Sequence, residues 1–263
     1  MNRHLTRGAA IAASATLLLS GCANDEDQDE TASTPPSPPV TETDWFTERF
    51  SSAPVFVDAA TENAQTHRPD NNAGEPLPEN APEGEVVWQA PACVPIPFTS
   101  DGPRSSFLDT GVLHVSGYEQ TELGAAAAAV GLSSTSLATT DQPRAVSVAT
   151  GLTLPEAERI VATSEVFDLK PEFRESLGEP CRTTDFRPTA YRVADMTDSY
   201  AVVDLFSPAS NNPGNGATIR LSVEWTGDDW RLAPSSFDSY ADSLEAFSSN
   251  RGAKVDLAEF TQW

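Results

Sequence analysis

Four consecutive segments in the second half of the chain, "TAYRVADMTD" (189–198), "SYAVVDLFSPAS" (199–210), "ATIRLSVEWTGD" (217–228) and "DWRLAPSS" (229–236), alternate apolar and polar residues. A period of two sends successive side chains to opposite faces of an extended strand. The turn signals "NNPGNG" (211–216) and "TGDD" (226–229) leave too few residues for a crossover helix. Sequential strands joined this tightly fold back on one another as an antiparallel meander. A sheet that buries one face needs a second layer to cover it.

The preceding half supplies that layer. "GVLHVSGY" (111–118) alternates and suits a short strand; Thr121 can then cap "ELGAAAAAVGL" (122–132), whose alanines favour helix and permit close packing. Thr153 and Glu156 form a T-x-x-E capping box around Pro155 and open "LPEAERIVATSEVF" (154–167). "PEFRESLG" (171–178) predicts one more short helix, ended by Gly178. Helices followed by a meander predict an α+β domain, N-terminal helices packed on a C-terminal four-stranded antiparallel sheet, with Ala125 to Val130, Ile160, Val161 and Val166 facing inward. The run "VEWTGDDWRL" (223–232) resembles the closing hairpin of the NTF2-like, cone-shaped α+β fold. That resemblance implies a cone with a cavity between helices and sheet, for which Tyr118, Tyr191, Phe206 and Trp225 are the candidate ligand-pocket lining.

At the other end, Gly8 to Leu19 is apolar for about a dozen residues, short of the ~20 that span a bilayer. Arg3 and Arg7 precede it, and Ser20 and Gly21 follow, which is the layout of a signal peptide over residues 1–21. Leu19-Ser20-Gly21-Cys22 resembles the lipobox of bacterial lipoproteins. The resemblance implies that the Cys22 thiol takes a diacylglyceryl group and becomes the mature N-terminus, held at the outer face of the membrane; acyl chains contribute about 0.8 kcal/mol per buried methylene. An ordinary secretory signal followed by a buried or paired cysteine is the plainer alternative. With Cys22 taken by the lipid, Cys93 and Cys181 are left, and outside the cytoplasm two thiols read most simply as one disulfide, with a pair of buried free thiols as the alternative.

Charge narrows the partners. The chain carries 16 Lys+Arg against 39 Asp+Glu, a formal charge of −23. Nucleic acid and anionic lipid surface both call for a basic patch, so neither is an expected partner. Residues 22–85 are acidic and proline-rich ("DEDQDE", "TPPSPP", "RPDNNAGEPLPENAPEGE"), the composition of a disordered tether. Within it an aromatic island, 44–60, carries Trp45, Phe46, Phe50 and Phe56. Two readings fit the island: an arm that packs back on its own domain, or a linear motif that docks on an envelope protein. The folded domain is expected over 86–263.

"GPRSSFLDTGVLHVSGYEQTELGAAAAA" (102–129) resembles the G-P … G-[FY]-x-x-T-x-x-G-A-x-x-A-A stretch of an actinobacterial domain family of unknown function, through Gly102, Pro103, Gly117, Tyr118, Thr121, Gly124, Ala125, Ala128 and Ala129. "DWRLAPSS" and "KVDLAEFTQW" (254–263) are similar to that family's closing hairpin and its final Leu-x-x-Phe-x-x-Trp segment. Members are often secreted or membrane-anchored and some are encoded among conjugative-element genes, which implies an envelope setting and no particular activity. The matched residues read as framework: Gly117 and Gly124 for close backbone approach, Thr121 for the cap.

Catalytic residues are not evident. His4 belongs to the signal and His67 to the tether, leaving His114, which has no partner that the sequence reveals. No G-x-S-x-G, S-x-x-K, H-E-x-x-H or C-x-x-C occurs, no metal or cofactor is expected, and Asp228 and Asp229 read as polar turn residues. The expectation is a lipid-anchored, non-enzymatic binding or assembly module of the envelope, including conjugation machinery; the alternative is a small-ligand-binding lipoprotein using an NTF2-like cavity.

Overall fold

The computed structural model describes residues 43–47, 54–58, 67–68, 75–76, 85–91, 94–100, 102–108, 110–168, 188–209, 212–250 and 253–263. Cys22, Phe50, Cys93, Cys181 and the segment 171–178 lie outside the described residues. Strands β1 (Thr43–Thr47) and β2 (Pro54–Asp58) pair antiparallel, and β3 (His67–Arg68) pairs parallel with β4 (Glu75–Pro76). Next come β5 (Val87–Gln89), β6 (Ile96–Phe98), β7 (Arg104–Phe107) and β8 (Leu113–Ser116). Helices α1 (Glu122–Leu137), α2 (Gln142–Thr150) and α3 (Leu154–Thr163) follow, then a 3₁₀ turn at Glu165–Asp168. The chain continues through β9 (Ala190–Thr197), β10 (Tyr200–Ala209), β11 (Asn212–Trp225) and β12 (Trp230–Leu232) to helix α4 (Ser236–Asn250), and then to β13 (Ala253–Lys254) and β14 (Thr261–Gln262).

Strands β9 to β12 are successive antiparallel neighbours, but they are not the whole sheet. Its order is β12-β11-β10-β9-β14, with β13 added on β11, so six strands stand where four were expected. A second sheet, β1-β2-β5-β6, lies outside the expected architecture altogether. These findings overturn the NTF2-like cone with helices on a four-stranded sheet. The hairpin that suggested the cone is a local β11–β12 turn, which any antiparallel sheet can contain. The strands that extend the sheet are two residues long and carry no period.

Helix α1 decides the packing. Its alanines make it apolar on every side, and a helix with that pattern is buried all round. Ala125 to Ala129 are fully buried and share one core with Val203, Leu205, Ile219, Leu221 and Val223 of the large sheet and with Ile96, Phe98 and Val115 of β6 and β8. Methyl side chains let backbone elements approach from several directions, so α1 is a central rod and not a lid on one face. Toward its end the hydroxyls of Ser133, Thr135 and Ser136 donate to the carbonyls of Ala129, Gly131 and Leu132 (2.6, 2.9 and 2.7 Å), so these polar groups stay bonded in the interior. Val166 is buried as expected from the sequence, whereas Ile160 and Val161 are only partly buried.

The free edge of β11 is closed only partly by a strand. β12 covers only three residues of β11, from Val223 to Trp225. Just beyond, the Ser236 hydroxyl accepts from the Ser222 amide (2.9 Å) and donates to its carbonyl (3.0 Å), which ties the start of α4 to β11. Helix α4 is not among the helices expected from the sequence, although Phe237 and Tyr240, both buried, and Leu244 recur at helical spacing. The expected "NNPGNG" turn is also shorter than its composition suggests: Ala209 already faces Asn212, and Pro213 to Gly216 continue β11.

Candidate functional site

The residues that resemble the G-Y-x-x-T-x-x-G-A pattern meet the β11–β12 turn. Gly117, at φ 82, turns the chain out of β8 through the left-handed region that favours glycine. The Asp229 carboxylate, buried, accepts the amides of Gly117 (2.8 Å), Tyr118 (3.1 Å) and Trp230 (2.8 Å). The Trp230 indole donates to the Glu119 carbonyl (2.6 Å), and Thr121 caps α1 by accepting from the Gly124 amide (3.0 Å). Gly117 and Gly124 thus serve different needs. A Cβ on Gly117 would meet nothing, so its torsion is what matters, while one on Gly124 would strike the Glu119 carbonyl oxygen. Asp229, read from sequence as an ordinary turn residue, is the group that locks loop 117–119 to the sheet.

His114 and Arg231 flank this clasp. Burial pushes the His114 imidazole below its usual range, Arg231 adds to that, and the Asp229 charge opposes it. Arg231 itself donates to the Val148 carbonyl of α2 (3.0 Å). The Tyr118 hydroxyl, raised well above its ordinary value by burial and then by Asp229, stays protonated and is wedged against Gly131 of α1.

Of the four candidate pocket residues, Tyr118 and Trp225 lie beside the Asp229 clasp, and Tyr191 and Phe206 lie elsewhere on the large sheet. Tyr191 is level with Leu205 and Ile219 on the inner face of the large sheet, and Trp225 is on the same face but about 20 Å further along β11 at ~3.4 Å per residue. Trp225 stacks edgewise on Trp230 (5.3 Å). Phe206, one residue on from Leu205, lies on the opposite face, its ring edge-to-face with Phe260 (6.3 Å). Tyr118 lies in the β8–α1 loop. Of the island, Trp45 and Phe46 are on β1 opposite Phe56 and Val55, and β2 runs parallel to β5 with Val55 beside Trp88.

The outer face of the large sheet holds a cluster that the sequence reading did not anticipate. Asp204, 1% exposed, accepts from Arg192 (2.6 Å) on β9 and from Arg220 (2.7 Å) on β11. Burial alone would raise the Asp204 carboxyl, but the two guanidiniums outweigh it and hold it below its usual range. Arg192 also binds Glu259 (2.6 Å) and lies over the Phe260 ring (5.1 Å). An acid inside "AVVDLFS" between strands containing "YRV" and "TIRL" was the available signal, because cross-strand register puts opposite charges side by side. No group of three His, Cys, Asp or Glu among the described residues could hold a metal ion, and no described helix is long and apolar enough to cross a membrane.

A family model described as a domain of unknown function, DUF8175, matches residues 49–254. The chain belongs to this family. No curated protein and no solved structure matches it. The DUF8175 region contains the Asp229 clasp, the Asp204 cluster and the whole of α1 to α4, and it begins ahead of β2.

Proposed function

We propose that this DUF8175 chain is an extracytoplasmic lipoprotein, anchored through Cys22, that acts as a non-enzymatic binding or assembly module of the cell envelope. The observation that carries the reading is the short apolar run ending at Leu19-Ser20-Gly21-Cys22 and followed at once by an acidic stretch. The described domain is compatible with that role. Its two buried carboxylates are committed to framework bonds, Asp229 to three amides and Asp204 to two arginines. The chain's net charge of −23 steers it toward basic or neutral partners, and the resemblance to a family with some members encoded among conjugative-element genes makes conjugation machinery one candidate assembly. The small-ligand alternative rested on the cavity of an NTF2-like cone, and the six-stranded sheet does not form that cone.

The anchor is tested by mass spectrometry of the N-terminal peptide and by detergent phase partition. The wild-type protein should carry an acyl mass on Cys22 and enter the detergent phase, and Cys22→Ser should lose both. An unmodified wild-type peptide overturns the anchor. The assembly role is tested by crosslinking in intact cells and pull-down; recovery of no envelope protein above background overturns it.

A further inference from the structure

The segment after α4 closes the outer edge of β9. Strand β14 pairs with β9 over only two positions, Thr261 with Tyr191 and Gln262 with Ala190. An aromatic residue reaches round each side of that edge. Phe260 lies against Phe206 and under Arg192 on the outer face, while Trp263 packs on Tyr191 (4.5 Å) and edgewise on Trp88 (5.4 Å) on the inner face. Glu259 adds the ion pair to Arg192. Within this segment Asp256, Ala258, Glu259, Thr261 and Gln262 are exposed. Removing the segment would leave β9 with free edge amides and carbonyls between two aromatic slots and beside a guanidinium. Those are the components of a strand-addition site, in which main-chain bonds supply affinity and side-chain pockets supply choice. The resident segment also fits imperfectly: the Trp263 indole N–H is buried with no hydrogen-bond partner among the described residues, a cost of about 1–3 kcal/mol against its retention.

We propose that the β9 edge is a peptide-docking site, filled in cis by residues 256–263 and taken in trans by an extended segment of a partner protein carrying an acid followed by aromatic residues at the Phe-x-x-Trp spacing. The site rests on the assembly reading above and names its surface and partner class. Strand pairing selects an extended chain, Arg192 selects the acid, and the slots on opposite faces demand an odd spacing between the aromatics. The resident segment competes with the partner, so the native chain binds in proportion to the fraction of molecules whose edge is open.

The test uses the full-length chain bearing Phe260→Ala and Trp263→Ala, titrated with a fluorescent peptide of residues 254–263. Saturable binding is expected, roughly tenfold or more tighter than to the native chain, because the resident competitor has been weakened. A peptide with both aromatics changed to alanine should not bind, and adding Arg192→Ala to the protein should weaken binding several-fold. Absence of saturable binding to the folded variant, or equal binding of a scrambled peptide, overturns the site. Should the variant fail to fold, hydrogen exchange on the native chain decides instead. The Trp263 amide, which donates to the Thr189 carbonyl (3.3 Å), should then exchange about a hundredfold faster than amides of β10 and β11. Equal protection means that the segment leaves only on global unfolding and overturns the site. A failed peptide titration leaves the assembly reading standing, whereas an empty pull-down removes that reading whatever the peptide does.

Discussion

Asp229 shows how much one side chain can hold. Its carboxylate serves three amides from two elements that are far apart in sequence, so truncation strands buried donors on both sides. Asp229→Ala should cost about 2–4 kcal/mol, read from denaturant midpoints, since each unsatisfied buried donor costs about 1–3 kcal/mol and the loop can relax only in part. His114 makes the neighbouring prediction about pH. Its folded-state value is depressed, so its contribution to stability is present above the unfolded value of about 6.5 and is lost as pH falls through the lower folded value. Melting temperature should therefore decline on acidification from about pH 6.5, and His114→Gln should flatten that slope. Asp204 has the same sign at lower pH: its contribution is present above about 3.9 and is lost below it as the carboxyl protonates against Arg192 and Arg220.

At the scale of elements, the Asp204 cluster links β9, β10 and β11 across one face. Arg220 is largely exposed and Arg192 about a third exposed, so water takes over much of either one's role when it alone is removed. Arg220→Ala and Arg192→Ala should each cost about 1 kcal/mol, whereas the double variant should lose more than the sum, about 3 kcal/mol or more, because a 1%-exposed carboxylate is then unpaired. A double-mutant cycle in urea measures the difference. Helices α1 and α3 were legible because their starts are written locally. Thr121 caps α1, and the Glu156 carboxylate accepts from the Thr153 amide and hydroxyl (3.0 and 2.6 Å). The sheet edges were not legible, because β13 and β14 are two-residue pairings whose only reason to be strands is the neighbour they meet.

At the scale of the molecule, the parallel β2–β5 pair joins the 43–58 hairpin to a strand whose own side chains, Val87, Trp88 and Gln89, are buried. A chain beginning at Glu85 would expose the edge of β5. Relative to one beginning at Thr41, it should melt several degrees lower, at about 2–4 °C per kcal/mol for a chain of this size, and should aggregate more readily. Equal melting temperatures would show that the hairpin contributes nothing to the domain.

Local units are written in the amino-acid order alone: the period-two strands β9 to β12, the capped starts of α1 and α3, and an alanine run that no amphipathic surface helix would carry. Each is fixed within a few residues by backbone torsion, capping and side-chain periodicity. Which of these units meet is set by long-range packing. It made α1 a central rod, turned Asp229 from a turn residue into a clasp, set Arg192 and Arg220 on either side of Asp204, and placed Phe260 and Trp263 on opposite sides of β9. Those contacts depend on register and on burial between residues distant in the chain. Neither is encoded in the spacing of any one segment.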